Sequence, residues 1–343
     1  MKELGGMIKI AEVFSVLSDK ATEKDLQKNI FKFLQKKGGL DRKVFFGLSF
    51  YNQEKIKINN KNFGLEIKKQ LAEVKISSRL VTSREEILSA VTVKMNKLLS
   101  ARGAEIIVAS TAEETWLANT LTVQPFDEFS QRDFGRPGRD SFSGMLPPKL
   151  AKIMINLATN NYNDIILDPF CGSGTILTEA YLMGYQNIFG SDNSPKAISD
   201  TEKNLAWSNT PAEVRLCDAT KLSDCYSPNF FNTIVTEPYL GPPQRGHETP
   251  EQILQAVTDL RKLYLDSLKE ITKVLKKGGT VLMVWPIIHD QKMALEKNLN
   301  SLGLKIQTLL PQTEWFEEQT TLVYARPDQI VKREIVKITK TAQ

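Results

Sequence analysis

Two rhythms of apolar positions succeed one another along the chain. Over residues 1–120, short β-like runs (Ile8–Val13, Val44–Ser49, Glu105–Ser110, Trp116–Val123) alternate with stretches of helical period, Glu23–Gln35 and Glu85–Leu99. Ser83 is placed to N-cap the second stretch. This pattern predicts a small α+β domain. From residue 149 onwards strands alternate with longer helices. Ile165–Pro169, Asn187–Ser191, Ala212–Leu216, Asn232–Thr236 and Thr280–Trp285 read as strands. Thr175–Met183, Pro195–Ser208, a long helix within Glu251–Leu275, and Gln291–Leu302 read as helices. Leu304–Leu310 and Gln319–Ala325 close the pattern as an antiparallel pair, and the tail after Arg326 has no evident partner. The alternation predicts an α/β fold with a doubly wound parallel sheet and a ligand at the carboxyl ends of its strands. Residues 124–148 follow neither rhythm; they mix prolines, glycines, four aromatic residues and three arginines, and read as a linker. The expected division is therefore a domain over 1–123, a linker over 124–148 and a second domain over 149–343.

Composition narrows the class. With 343 residues, 41% hydrophobic and 25% charged, the chain is long enough for two or three domains and is neither disordered nor fibrous. Its net charge of +5 is unevenly placed: residues 1–111 carry 21 Lys/Arg against 12 Asp/Glu, leaving the remainder net acidic. Within that basic third, Lys68, Lys69, Lys75 and Arg79 can share one face, which suits either a solvated helix surface or an RNA-facing one. The linker arginines Arg132, Arg136 and Arg139 allow two readings as well. They pair with Asp133 and Asp140, or they grip phosphate bidentately. Three cysteines and two histidines are too few and too scattered for a disulfide framework or a zinc site, so a reducing compartment is expected. No basic n-region precedes an apolar run at the start and no eighteen-residue apolar stretch occurs, so the expected location is cytoplasmic.

The sharpest chemical signal is Asp168-Pro-Phe-Cys-Gly-Ser-Gly-Thr175, between an apolar run and an apolar-periodic helix. Gly172 and Gly174 permit a tight turn and close ligand approach, and the helix start after them offers unpaired N–H groups to a carboxylate. The segment lacks the GxGxxG spacing and the P-loop lysine, which disfavours a phosphate cradle. Asp168 suits a cationic amine instead. Asp192, followed by Asn193, ends the next strand where an acid accepts from ribose hydroxyls, and Asp218, followed by Ala219, ends the third where it can accept from an adenine amino group. Amine, carboxylate, ribose and adenine together describe S-adenosylmethionine. Cys171 reads as a small residue of the same loop rather than a nucleophile, since no histidine lies in the neighbouring motifs.

The fourth strand leads into Glu237-Pro238-Tyr239. This resembles the (Asp/Asn)-Pro-Pro-(Tyr/Phe) loop of methyltransferases that act on exocyclic amino nitrogens. There a carboxylate and a proline carbonyl accept the two amino N–H bonds while an aromatic ring stacks on the base. Here Glu replaces Asp, one proline is missing, Tyr239 comes one residue early, and Leu240 stands at the usual aromatic position.

The wider pattern resembles the THUMP-domain tRNA (guanosine-N2) methyltransferases, the group acting on guanosine 10 of tRNA. The resemblance rests on Leu4-Gly-Gly-Met-Ile-Lys-Ile-Ala-Glu12, Arg132-Asp-Phe-Gly-Arg-Pro-Gly-Arg-Asp140, Gly144-Met-Leu-Pro-Pro-Lys-Leu-Ala151, Ile155-Asn-Leu-Ala158 and Asp168 through Thr175. It implies an N-terminal THUMP-like domain that docks tRNA, a linker, and a class I (Rossmann-like) methyltransferase domain using S-adenosylmethionine. It also implies that the chain starts late within the first subdomain. The alternatives are a DNA or rRNA amino-methyltransferase, or an RNA-binding protein of the same fold that has drifted at its catalytic loop.

Overall fold

The computed structural model describes residues 3–18, 20–38, 43–51, 60–139, 145–244, 246–313, 317–327 and 329–341. The chain divides into two compact units, one formed by Met7–Glu128 and the other by Glu3–Gly6 with Phe129–Gln343. No helix among the described residues is long and apolar enough to cross a membrane.

In the first unit the elements are β1 (Lys9–Ser18), α1 (Glu23–Lys37), β2 (Val44–Tyr51), α2 (Asn60–Glu73), β3 (Ser78–Val81), α3 (Ala90–Met95), β4 (Gly103–Ser110) and β5 (Glu114–Val123). Its five strands order as β1-β5-β4-β2-β3, with β2 parallel to both of its neighbours. Thr22 caps α1 through a reciprocal capping box with Asp25. Leu26, Ile30 and Leu34 of α1 and Phe63, Ile67 and Leu71 of α2 recur every four residues, and they bury against Phe46, Phe50 and Ile106 of the sheet. Each such side chain contributes about 1.5–3 kcal/mol by leaving water. The helix expected over Glu85–Leu99 is confined to α3 and capped by Ser89 rather than Ser83. The reason is competition for backbone groups. Phe50 N donates to Glu86 O, and Leu88 N donates to Ser49 Oγ, so this stretch bonds to β2 instead of to itself.

A further helix, α4 (Phe126–Phe134), occupies the first part of the stretch read as an irregular linker. Asp127 and Glu128 in its first turn and Arg132 in its last complement its dipole. Asp140 and Gly144 of the linker lie outside the described residues.

The second unit continues with α5 (Pro148–Ala158), β6 (Ile166–Asp168), α6 (Thr175–Leu182), β7 (Ile188–Asp192), α7 (Pro195–Trp207), β8 (Glu213–Leu216), β9 (Phe231–Thr236), α8 (Pro250–Val274), β10 (Leu275–Ile288), α9 (Glu296–Leu299), β11 (Leu304–Gln307), β12 (Thr321–Tyr324) and β13 (Val331–Lys340). The strands order as β11-β13-β10-β9-β6-β7-β8, with β12 also on β13. β10, β9, β6, β7 and β8 run parallel, whereas β13 runs antiparallel to β10, β11 and β12. Alternation along β10 covers both faces. Val281, Met283 and Trp285 pack with Leu260, Tyr264, Leu268 and Ile271 of α8, while Leu282 and Val284 pack with Leu150 and Met154 of α5 and Ile176 and Leu177 of α6. The Leu4-Gly-Gly segment joins this unit. Asn156 donates to Glu3 O at 2.8 Å, and a Cβ on Gly5 would lie 2.1 Å from Lys149 O, so only glycine fits there.

Four expectations are corrected. The tail after Arg326 holds β13, the strand that pairs with β10, and β11 and β12 each pair with β13, the two expected segments meeting each other at an antiparallel bridge between Leu310 and Gln319. The helix expected over Gln291–Leu302 is reduced to α9 and a short 3-10 turn, because Gln291 exchanges backbone bonds with Ile288. Cys217 and Cys225, eight residues apart, form a disulfide, leaving Cys171 as the free, buried thiol.

Candidate active site

The residues predicted from strand ends converge on one cavity of about 440 Å³ within the second unit, lined by Asp168, Asp192, Asn193, Asp218, Ala219 and the Glu237–Gly241 loop. Parallel pairing of β6, β7, β8 and β9 brings their carboxyl ends to one edge, which is why four separate sequence segments meet.

Asp168 ends β6 and is buried. Its Oδ1 accepts from Thr236 Oγ1 at 2.7 Å and from Phe170 N at 3.2 Å. Burial pushes its carboxyl up to about 7, against those two hydrogen bonds, with the nearby Asp192 and Glu237 carboxylates adding to the rise. A bound cation would favour the ionised form. The glycine loop turns at Gly172 (φ 52°) and Gly174 (φ 79°), and a Cβ on Gly174 would meet Thr201 Cγ2 at 3.0 Å. Gly174 caps α6 from behind and does not line the cavity. Cys171 does line it, yet it is buried, with its thiol held high by desolvation and the Asp168 and Asp192 charges. Such a thiol is a poor nucleophile.

Asp192 accepts from Gly172 N (3.0 Å) and Ser194 N (2.9 Å), which ties the glycine loop to the end of β7. Asp218 caps the following 3-10 turn by accepting from Thr220 N and Thr220 Oγ1, both on Oδ1 at 2.8 Å. The Cys217–Cys225 disulfide closes the chain around Asp218 and Ala219.

Glu237, Pro238 and Tyr239, which follow β9 beside β6, line the same cavity. Glu237 is gripped at both carboxylate oxygens by Arg333 of β13, Nε to Oε1 at 2.6 Å and Nη2 to Oε2 at 3.3 Å. The Tyr264 hydroxyl of α8 donates to Tyr239 O at 3.0 Å, fixing the loop from beneath. Tyr239's ring is half exposed and also borders a neighbouring apolar groove with Pro242, Leu260 and Leu263. Leu240 is partly buried, packs against the core and also lines the cavity. Arg333 was missed from sequence; the β-branched run Ile330-Val-Lys-Arg-Glu-Ile-Val-Lys-Ile338 was the available signal for its strand.

The linker arginines act inward. Arg132 Nε bonds Glu179 Oε1 at 2.6 Å, and Lys152 approaches the other oxygen at 3.4 Å. Arg136 is 6% exposed and donates from Nη1 to Thr175 Oγ1, the first residue of α6. Gly138 is clasped by Asn204, which also donates to Ser173 O of the glycine loop. These contacts brace the loop from outside: Arg132 and Arg136 bond Glu179 and Thr175, the Asp133 charge also acts on Arg136, and Asp140 lies outside the described residues. Arg139 is exposed and lies over the Phe134 ring. Lys68, Lys69, Lys75 and Arg79 are all exposed, on α2, the turn after it and the edge strand β3. No cluster of metal-ligating side chains occurs among the described residues.

A family model described as an RMKL-like methyltransferase domain matches residues 136–305, the stretch holding every strand-end acid and the Glu237 loop. A second, an N6/N4 methyltransferase model described as DNA methylase, matches residues 22–203, more than half of the 343. The chain belongs to the N6/N4 methyltransferase family. This methyltransferase is 32% identical over 187 residues to the tRNA (guanine(10)-N2)-dimethyltransferase of Methanothermobacter thermautotrophicus, covering 54% of the chain and 51% of that protein. It is 29% identical over 225 residues to the protein of the same name from Methanocaldococcus jannaschii, covering 62% of the chain and 58% of that protein. The methyltransferase thus spans little more than half the length of these curated relatives. Its fold resembles that of TrmN from Thermus thermophilus, with a TM-score of 0.58 at 17% identity over 97% of this chain and 83% of that one. It also resembles SMU.472, a methyltransferase solved with SAH, with a TM-score of 0.51 at 12% identity over 97% and 84%.

Proposed function

We propose that this chain transfers the methyl group of S-adenosylmethionine to the N2 amino group of guanosine 10 in tRNA. In this reading residues 1–123 are a THUMP-like RNA-binding domain, 124–148 the connection, and 149–343 the catalytic domain, acting in the cytoplasm. The observation that carries it is the meeting of an amino-accepting loop, Glu237–Tyr239, with three strand-end acids on one cavity. The relatives named as tRNA (guanine(10)-N2)-dimethyltransferases support the choice of acceptor.

The donor set fits the cofactor. Asp168 is a buried carboxylate whose ionised form gains from a cationic amine, Asp192 and Asp218 keep acceptor capacity at the next two strand ends, and the turn at Gly172 leaves room for close approach. When bound, S-adenosylmethionine supplies an electrophilic methyl group on its sulfonium. Glu237 accepts one N–H of the base amino group and the Pro238 carbonyl the other, which turns the nitrogen lone pair away from the ring and toward the methyl carbon. Tyr239 offers its exposed ring to the flipped base, with stacking worth about 1–3 kcal/mol. The basic surface of Lys68, Lys69, Lys75 and Arg79, together with Arg139, contacts phosphate.

A DNA acceptor is the second reading, favoured by the DNA methylase description of the family model. Incubating the protein with labelled donor and, separately, unmodified tRNA, an rRNA fragment and single-stranded DNA separates them. Label is expected in tRNA; label confined to DNA or rRNA overturns the reading.

A further inference from the structure

We propose that Arg333 is the positioning residue of the amino-accepting loop, its guanidinium holding the Glu237 carboxylate in one orientation. The inference rests on the reading of Glu237 as the acceptor of the base amino group. Its geometry stands independently. Nε and Nη2 meet Oε1 and Oε2 at 2.6 and 3.3 Å, and both side chains are nearly out of water, Arg333 10% and Glu237 13% exposed.

Three features make this more than a structural ion pair. Glu237 lines the same cavity as Asp168 and Asp192, so the group that Arg333 orients faces the proposed reaction site. The cation comes from a strand paired on both edges: Arg333 is in register with Pro286 of β10 on one side and Tyr324 of β12 on the other, so its origin is rigid. A planar fork on both oxygens also fixes the carboxylate's rotation about its last bond, which a lysine's point charge does not. The lone pair left free on each oxygen is then fixed in direction, and the amino group is received in one pose. Tyr264 plays the parallel part for the loop backbone through Tyr239 O. With Arg333 attached, Glu237 acts as a hydrogen-bond acceptor and not as a mobile base, which suits an amine whose nitrogen bonds carbon first and then passes its surplus proton to water.

The test compares wild type, Arg333→Met and Arg333→Lys in steady-state methyl transfer, on whichever of tRNA, rRNA fragment or single-stranded DNA the wild type methylates. Donor affinity and melting temperature are measured alongside. A displaced acceptor costs about 10²-fold when a reacting group shifts by an ångström. The expected result is a fall in kcat of about 30- to 100-fold for Arg333→Met, with acceptor KM and donor Kd within about threefold of wild type. Arg333→Lys should recover part of that loss. A folded Arg333→Met with wild-type kcat, or one that raises KM alone, overturns the proposal. Should Arg333→Met not fold, Arg333→Lys decides: a drop in kcat at unchanged KM supports the role, and wild-type kcat overturns it. Wild-type methylation of DNA alone would defeat the tRNA reading while leaving this comparison fully readable.

Discussion

In the proposed reading the donor and acceptor walls of the cavity are built in different ways. On the donor side, Asp192 and Asp218 are held by backbone N–H groups from two to twenty residues away. On the acceptor side, Glu237 is held by a side chain 96 residues further along, in the last strand of the sheet. The donor wall is thus held mainly within strand-loop-helix units, with Asp168 also bonded to Thr236 of β9, whereas the acceptor wall depends on the sheet closing correctly around β13. The two functions should come apart under mutation.

The largest separation is expected from Glu237→Ala. Methyl transfer should fall by about 10³-fold or more, since a positioned acceptor contributes about 10²–10⁴, while donor affinity by calorimetry stays within about threefold. Full activity in that variant would refute the role of the loop. Asp168→Asn should do the reverse, weakening the donor about 10- to 100-fold. It should also remove a pH dependence. In the wild type, Asp168 is protonated below about 7, so affinity for a cationic donor should weaken about tenfold per pH unit below that point and level off above it. The sign for stability is opposite. A carboxyl raised from 3.8 to about 7 binds a proton in the folded state that the unfolded chain has lost, so its contribution to the stability of the free protein declines as pH rises from about 4 to about 7.

Legibility in the sequence followed the same divide. Asp168–Thr175, Asp192 and Asp218 could be read because each motif and its strand are contiguous, and the alternation of strand and helix brings their ends together without further information. Arg333 could not be placed, because nothing local to Val331–Lys340 tells that it enters beside β10. Glu85–Leu99 misled for a related reason: its apolar period is helical, but β2 claims its backbone groups through Ser49 and Phe50. The linker arginines were visible as residues but not as partners, since Glu179 and Thr175 lie some forty residues downstream. The Cys217–Cys225 bond likewise follows from the turn that brings the two residues' Cα atoms to 6.5 Å, which spacing alone did not indicate.

Smaller effects sharpen the comparison. Replacing Lys68, Lys69, Lys75 and Arg79 together by glutamine should weaken tRNA binding about tenfold near 0.15 M salt and flatten its salt dependence by about 3 in log–log slope, with donor affinity unchanged. An unaltered slope in a filter-binding titration would remove that surface from the interface. Tyr264→Phe deletes a single hydrogen bond to Tyr239 O and should cost about 1 kcal/mol of stability with a few-fold loss of kcat, again without affecting the donor. A loss of donor affinity in this variant would mean that the two walls are not separable.

The central claim is an amino nitrogen of guanosine methylated in tRNA, and nucleoside mass spectrometry tests it most directly. An unmodified tRNA transcript is incubated with protein and isotopically labelled S-adenosylmethionine, digested, and the labelled product mapped. The account predicts label in N2-methylated guanosine at position 10. Label in an adenosine or cytidine, or none in any tRNA while DNA is methylated, would contradict it.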